Sequence, residues 1–582
     1  MKARHGRTFL FLYALLLMPQ AYSATPTLQV EGISGDLQRN VCARLYTIDS
    51  EQVTASMLFQ SRVDQVVREG LRALGYYSPT INFGFKSAAD GSLDVLIVHV
   101  TPGKPVKIAG VTIMLRGEAQ HDSDYSQWVS NSKPAIGAVL SHDAYERFKT
   151  GLSSLALRKG YFDAQFCKSQ LRVSPSCYQV YWDIDFDSGQ RYHFGRARFY
   201  GTQIGEEYLQ SLANVQEGAP YSAALLVELN HRLAATNWFN SVVISPHCST
   251  EKQRKTLSLD VFLTPHIRNS FETGVGYATA LGPRLKTTWI KSWLNSRGHS
   301  LQTSLTLSVP EQSVDVSYKI PLLRDPLAHY YLLKGGCKRE HLNNTQADST
   351  MLHAERYWDL SSGWQKAVNV RWSLDHFIQA NVTDTTMLIY PGLSINRIRQ
   401  SSKLLLMPAW GISQRYSLDI SNTLWGSNID FIIYQAQNIW IRTMTEKQRF
   451  LGRGNMFWIA TKNFERVPPS LRFFAGGDRS IRGYKYKSLS PKENNGLLTG
   501  ASRLVTGSLE YQYKLSGKWW YAVFLDSGEA VNDIKKSTFK TGAGVGVRWY
   551  SPFGPIKLDM AIPVSDEHEH GVQFYIGLGP EL

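Results

Sequence analysis

Few residues in this chain have the type and spacing that chemistry requires. His568 and His570 alternate with acidic neighbours in Asp-Glu-His-Glu-His, a spacing open to a metal. No third ligand can be identified, and the run reads as a polar hairpin loop. Gly542, Gly544 and Gly546 form a G-x-G-x-G run, but no helix follows to cradle a phosphate. Strand glycines that allow bending or close packing account for it better. No G-x-S-x-G elbow, H-E-x-x-H pair or Ser/His/Asp order is found. The chain is therefore expected to be no enzyme and to need no cofactor or metal.

The elements that could position a site begin with an export signal. Lys2, Arg4 and Arg7 precede an apolar stretch from Phe9 to Met18 and small residues at Ala21, Ser23 and Ala24, the three parts of a secretory signal peptide spanning residues 1–23. No later stretch supplies the roughly 18 to 20 apolar residues of a membrane-spanning helix, which leaves a soluble exported protein or a closed β-barrel. Of 582 residues, 12% are aromatic, with 15 Trp and 29 Tyr, a usage suited to barrel girdles. In an exported chain the net charge of +15 is better explained by anionic lipid head groups than by nucleic acid. Among five cysteines, Cys167 and Cys177 flank a predicted hairpin and are placed to pair, while Cys42, Cys248 and Cys337 read as small buried hydrophobes.

Ahead of residue 265 a repeat is visible. Three helix-like stretches end in a small or polar residue and two aromatics: Gly75-Tyr76-Tyr77, Gly160-Tyr161-Phe162 and Asn237-Trp238-Phe239. Apolar residues precede each at helical intervals, as in Val63, Val67 and Leu71, or Leu225, Leu229 and Leu233. Gly or Asn supplies the left-handed stop, and two alternating strands come next. With a short strand opening each unit, the order is β-α-α-β-β three times, over 27–103, 105–187 and 190–265. From 266 to 582 the texture changes to alternating segments of about ten residues separated by polar turns, the pattern of strands that cross a bilayer at a tilt. At about 18 to 20 residues per strand and loop, the barrel holds about 16 strands.

On these residues the chain resembles a known family. The three units look like POTRA (polypeptide-transport-associated) domains, and the barrel resembles the BamA/TamA superfamily of outer-membrane insertases; three units ahead of such a barrel are the arrangement of its TamA branch. The motifs are Ile481, Arg482, Gly483 and Tyr484, similar to the family's Val-Arg-Gly-Phe/Tyr element with Ile for Val, and Arg-Trp-Tyr-Ser-Pro-Phe-Gly-Pro near the end. The resemblance implies three α+β POTRA domains followed by a transmembrane antiparallel β-barrel, whose sixth outer loop folds back inside. Arg482 would then need a carboxylate to offset desolvation, and Asp526 is the candidate. Family barrels commonly end in an aromatic, and this one ends in Gly579-Pro580-Glu581-Leu582, which shifts its own assembly signal to Phe574 and Tyr575.

The resemblance further implies a lateral seam between the first and last strands, at Thr273, Gly274, Val275 and Gly276 and at Gly571, Phe574 and Gly577. Glycines weaken a strand interior, so this seam should open most readily. Expected partners are the periplasmic protein TamB, unfolded outer-membrane clients such as autotransporters, and outer-membrane lipid, with no nucleic acid. Rival readings are a two-partner-secretion transporter and a membrane-tethering or lipid-transport component.

Overall fold

The computed structural model describes residues 27–48, 53–54, 56–87, 93–248, 255–278, 282–359, 362–401, 407–551, 554–565 and 571–578. The predicted signal peptide, the His568/His570 run and the terminal Gly579 to Leu582 lie outside them.

Three small sheets come first. The first unit runs β1 (Thr27–Glu31), α1 (Gly35–Leu45), α2 (Met57–Arg72), β2 (Thr80–Ser87) and β3 (Leu93–Thr101), and the second runs β4 (Lys107–Arg116), α3 (Ser123–Ser132), α4 (His142–Lys159), β5 (Gln165–Ser174) and β6 (Gln179–Asp187). The third repeats the order as β7 (His193–Tyr200), α5 (Glu206–Leu212), α6 (Ala223–Ala235), β8 (Phe239–Cys248) and β9 (Thr256–Pro265). In every sheet the last strand lies in the middle, as in β1-β3-β2. The first strand pairs with it in parallel and the second in antiparallel, shown for β1 and β2 and for β4 and β5. The helical stripe read from sequence is the buried one: Val63, Val67 and Leu71 are fully enclosed against Leu96 and Val98. In α4, Leu152 and Leu155 are buried, whereas Leu157, read with them as one apolar stripe, is exposed, because two positions past Leu155 lies on the opposite face of the helix.

A single sheet of 16 antiparallel strands follows, from β10 (Asn269–Ala278) to β25 (Gln573–Leu578) in chain order. Its strands alternate with period two. In β22 (Trp519–Val531), Trp519, Tyr521, Val523 and Leu525 are exposed while Trp520, Ala522, Phe524 and Asp526 are buried, the apolar-out pattern of a membrane barrel. Strand length varies around the sheet, from 19 residues in β17 (Val382–Gln400) to 10 in β10 and 6 in β25.

The predicted disulfide does not form. Cys167 and Cys177 are free and exposed. Cys167 sits near the start of β5, beside a register shift at Phe166/Lys168, whereas Cys177 lies in the turn after Ser174. Seven strand residues at about 3.3 Å each put them on the order of 20 Å apart, far beyond the roughly 7 Å of Cα separation a disulfide spans. They flank the hairpin strand end to end, not face to face. Cys42 is half-buried and Cys337 exposed, so the latter is not the buried hydrophobe expected.

Candidate functional site

Residues 461–502 connect β20 (Gln448–Ala460) to β21 (Arg503–Ser516) and fold into the barrel. Their apolar side chains make a core with the wall: Val467, Phe473, Ile481 and Tyr484 pack with Leu388, Tyr390, Phe431 and Ile433. Polar contacts fix the loop to strands far apart in sequence. Gln379 donates to the Leu498 carbonyl at 2.6 Å, Lys487 pairs with Glu340 at 2.7 Å, and Arg466 pairs with Asp384 at 2.8 Å. Arg472 spends its guanidinium on three loop carbonyls, those of Val467, Thr499 and Glu465, and so ties the loop's two ends together.

At the tip, Arg482 is 2% exposed. Its Nε donates to Asp526 Oδ2 at 2.7 Å and its Nη2 to Asp526 Oδ1 at 2.9 Å, a two-point fork that lysine's point charge cannot make. Nη1 reaches Glu510 at 2.8 Å and Asp559 at 3.1 Å, and Nη2 reaches Ser508 at 3.3 Å. The guanidinium lies over the Phe524 ring, 3.3 Å from its centroid. Arg548 pairs with Glu510 at 2.9 Å and also with Asp559, so two cations and three carboxylates are enclosed together. Such a group is stable only when every charge has partners, and here every charge has at least one.

Glycines make room for this cluster. A Cβ on Gly542 would stand 1.7 Å from the Arg482 carbonyl, one on Gly544 2.5 Å from the Phe524 ring, and one on Gly546 1.9 Å from Asp559 Oδ1. The G-x-G-x-G run is thus the floor beneath the loop tip. Gly483 holds φ +102°, and a Cβ there would meet the Ile562 carbonyl at 2.7 Å. Its backbone N–H donates to Tyr575 Oη at 3.0 Å, and that hydroxyl donates to the Tyr484 carbonyl at 2.7 Å. The loop tip is therefore bonded to β25, the last strand of the barrel.

The edges of the sheet face each other. Some Cα atoms of β10 and β25 lie within 8 Å. Among the described residues, however, the hydrogen-bonded ladder begins at β10 and ends at β25, with none joining them. Thr273 and Val275 pair with Thr287 and Leu285 of β11 (Gly282–Lys291), and Val275 is 83% exposed. Phe574 pairs with Met560 of β24 (Gly554–Pro563) and is exposed, while Gly577 pairs with Lys557. Nothing approaches a Cβ position on Gly274 or Gly276 within 4 Å, so packing does not demand glycine there. Gly571 lies not in the last strand but in the connection before it, at φ +131°.

This architecture coincides with sequence matches along the chain. Residues 269–581 match the Omp85 superfamily domain, residues 27–102 the POTRA domain TamA domain 1, and residues 192–265 a POTRA family described as surface antigen variable number repeat. The chain belongs to the Omp85 superfamily. It is similar to the outer membrane protein assembly factor BamA of Nitratidesulfovibrio vulgaris (strain Hildenborough), 30% identical over 125 residues. That match spans 19% of this chain and 16% of that protein's length. The crystal structure of Haemophilus ducreyi BamA lacking POTRA domains 1-3 superposes with a TM-score of 0.66 at 15% identity, covering 81% of this chain and 99% of that one. At that identity the likeness is one of fold. CdiB from Escherichia coli, 12% identical, aligns over 94% of this chain and 98% of its own with a TM-score of 0.48.

Sequence reasoning named Arg482 and Asp526, and they stand in contact. It did not name Glu510, Ser508 and Arg548 as part of the same cluster, nor Asp559 as a partner of Arg482. The signal for Ser508 and Glu510 was present in the alternation Thr506, Ser508, Glu510, Gln512, four buried polar residues on one face of β21.

Proposed function

We propose that this Omp85 member resides in the outer membrane of a Gram-negative cell, with its POTRA domains in the periplasm, and helps insert β-barrel proteins through the seam between β10 and β25. The observation that carries the reading is that, among the described residues, no ladder joins those two strands. In an antiparallel edge, every second residue presents an unpaired N–H and C=O. For the ten residues of β10 that is roughly ten polar groups, each costing several kcal/mol if left unsatisfied in lipid. A client strand that pairs with this edge satisfies its own backbone groups and those of β10 in one step. No nucleotide, cofactor or catalytic chemistry is required, because the client's folding and its burial in lipid supply the free energy.

The finer assignment rests on the same reading. The match of residues 27–102 to the first POTRA domain of TamA supports a TamA-type role, with TamB as periplasmic partner and autotransporters among the clients. The test places a photo-crosslinking residue at Thr273 or Val275 in living cells and identifies the newly made polypeptides captured. Capture of outer-membrane barrel strands supports insertion at the seam. Capture of a periplasmic partner alone overturns it in favour of a tethering or lipid-transport role, and capture of one secreted exoprotein overturns it in favour of a dedicated transporter.

A further inference from the structure

The aromatic landmark that repeats through the POTRA units has a shared position in the fold. After α2, the Gly75 carbonyl accepts the N–H of Val106, at the start of the second unit, at 2.8 Å, and Tyr77 Oη meets His142 Nε2 of that unit at 2.7 Å. After α4, the Gly160 carbonyl accepts the N–H of Tyr192 at 2.9 Å, and the Phe162 ring packs edge-on against Tyr192 and Tyr221. After α6, the Trp238 carbonyl accepts the N–H of His266, where the barrel begins, at 2.8 Å. In all three the residue at or beside the left-handed helix stop receives an N–H from the first residues of the next unit; in the first two a neighbouring aromatic, Tyr77 or Phe162, packs on that unit, and in the third Trp238 does both. The barrel is joined as though it were a fourth repeat.

The third joint is the most tightly built. Trp238 is 4% exposed and its Nε1–H donates to the Gly298 carbonyl, in the turn between β11 and β12 (Ser300–Ser308), at 3.0 Å. Gly298 holds φ +71°, and a Cβ there would fall 2.1 Å from the indole, so the turn is a notch cut for this ring. The Gly205 N–H donates to the Ser296 carbonyl of the same turn at 2.8 Å, and Arg232 of α6 pairs with Asp325 at 3.2 Å. The short segment leading into β10 is held from the same turn. Trp293 Nε1 donates to the His266 carbonyl at 3.1 Å, while Arg268 donates to the Leu294 carbonyl at 3.2 Å and covers the Trp293 ring.

We propose that Trp238 is a positioning residue: seated on Gly298, it locks the third POTRA domain to the β11–β12 turn and thereby fixes where β10, the free edge of the seam, begins. Displacing the indole should loosen β10 and leave the distant wall unaffected. The proposal rests on the seam reading, and its test is kept separate from client capture.

Hydrogen exchange is followed by mass spectrometry on the full-length protein in lipid, comparing Trp238→Phe, which keeps a ring and loses the N–H, with Gly298→Ala, which fills the notch from the barrel side. Heat-modifiable gel mobility confirms that each barrel is folded. We expect amides of 266–278 to exchange about tenfold faster in both, as for one lost buried hydrogen bond, with β16 (Gln365–Gln379) and β17 unchanged. A purely structural role for Trp238 predicts faster exchange across 193–265 in Trp238→Phe and none in β10; that result overturns the proposal. So does an unmoved β10 in a folded Gly298→Ala protein. Loss of client capture at Val275 in the parent protein would sink the seam reading while leaving the exchange result to stand.

Discussion

Removing the guanidinium of Arg482 should cost more than any other single change in the loop. Arg482→Ala deletes five side-chain hydrogen bonds, to Asp526 twice and to Glu510, Asp559 and Ser508 once each. The effects on the three carboxylates differ. Glu510 and Asp559 keep Arg548. Asp526, with no exposed surface, keeps the backbone N–H of residue 482, 3.0 Å from Oδ2. Removing one partner of a buried ion pair typically costs about 3 to 5 kcal/mol, because the remaining charge is stranded. At about 1.4 kcal/mol per factor of ten, the open state of the loop tip should rise by roughly a hundredfold to a few thousandfold.

The assay is limited proteolysis of residues 476–500 in the full-length protein in lipid, read beside urea unfolding of the barrel. Arg472, Gln379 and Lys487 still hold the loop elsewhere, so cleavage should concentrate at the tip while the strands remain folded. Arg482→Lys should fall between, since an ammonium cannot make the two-point contact with Asp526. A second change, Asp526→Asn, made on Arg482→Ala, should recover part of the loss by removing the stranded charge. Loss below about 1 kcal/mol in Arg482→Ala, together with strict additivity of the two substitutions, would refute the cluster as the loop's anchor.

Other expectations concern neighbouring contacts. Tyr575→Phe removes the hydroxyl that bridges Gly483 N–H and the Tyr484 carbonyl; the carbonyl keeps the Gly477 N–H at 3.1 Å, so the change should cost about 1 to 3 kcal/mol through the Gly483 N–H alone, seen as faster exchange in β25 with β16 unaffected. Gly542→Ala would push a methyl into the Arg482 carbonyl and should expose the loop tip to protease much as Arg482→Ala does. Burial holds the His142 imidazole below its ordinary value, so the stability its buried neutral ring contributes is fully present above about pH 6.5 and is lost as pH falls through the lowered value and the ring charges; exchange at 73–77 should rise on acidification and lose that rise in His142→Gln. Cys167 and Cys177 should both react with a maleimide in the oxidised, folded protein, and their replacement by serine should leave stability unchanged.

What the sequence carries here is period, and what it conceals is distance. The alternation in β22 and the helical stripe at Val63, Val67 and Leu71 are local, so the barrel strands and POTRA helices could be read from neighbouring residues alone. The Arg482 cluster is not local: its partners stand 28, 44 and 77 residues away, and the loop that carries Arg482 has no period of its own, because residues 461–502 take their shape from the lumen they fill. The failed cysteine pair shows the same limit from the other side. Two residues close in sequence were kept apart by the length of one strand, a quantity that hairpin flanks do not reveal. Glycine was ambiguous for a related reason. Gly542, Gly544 and Gly546 are each forced by a specific atom above them, whereas Gly274 and Gly276 face open space with no steric need for a missing side chain. Where packing does not require glycine, its remaining physical effect is to weaken the strand; that this occurs on β10, which pairs with β11 on one side and, among the described residues, has no ladder on the other, is what ties the seam's composition to its proposed opening.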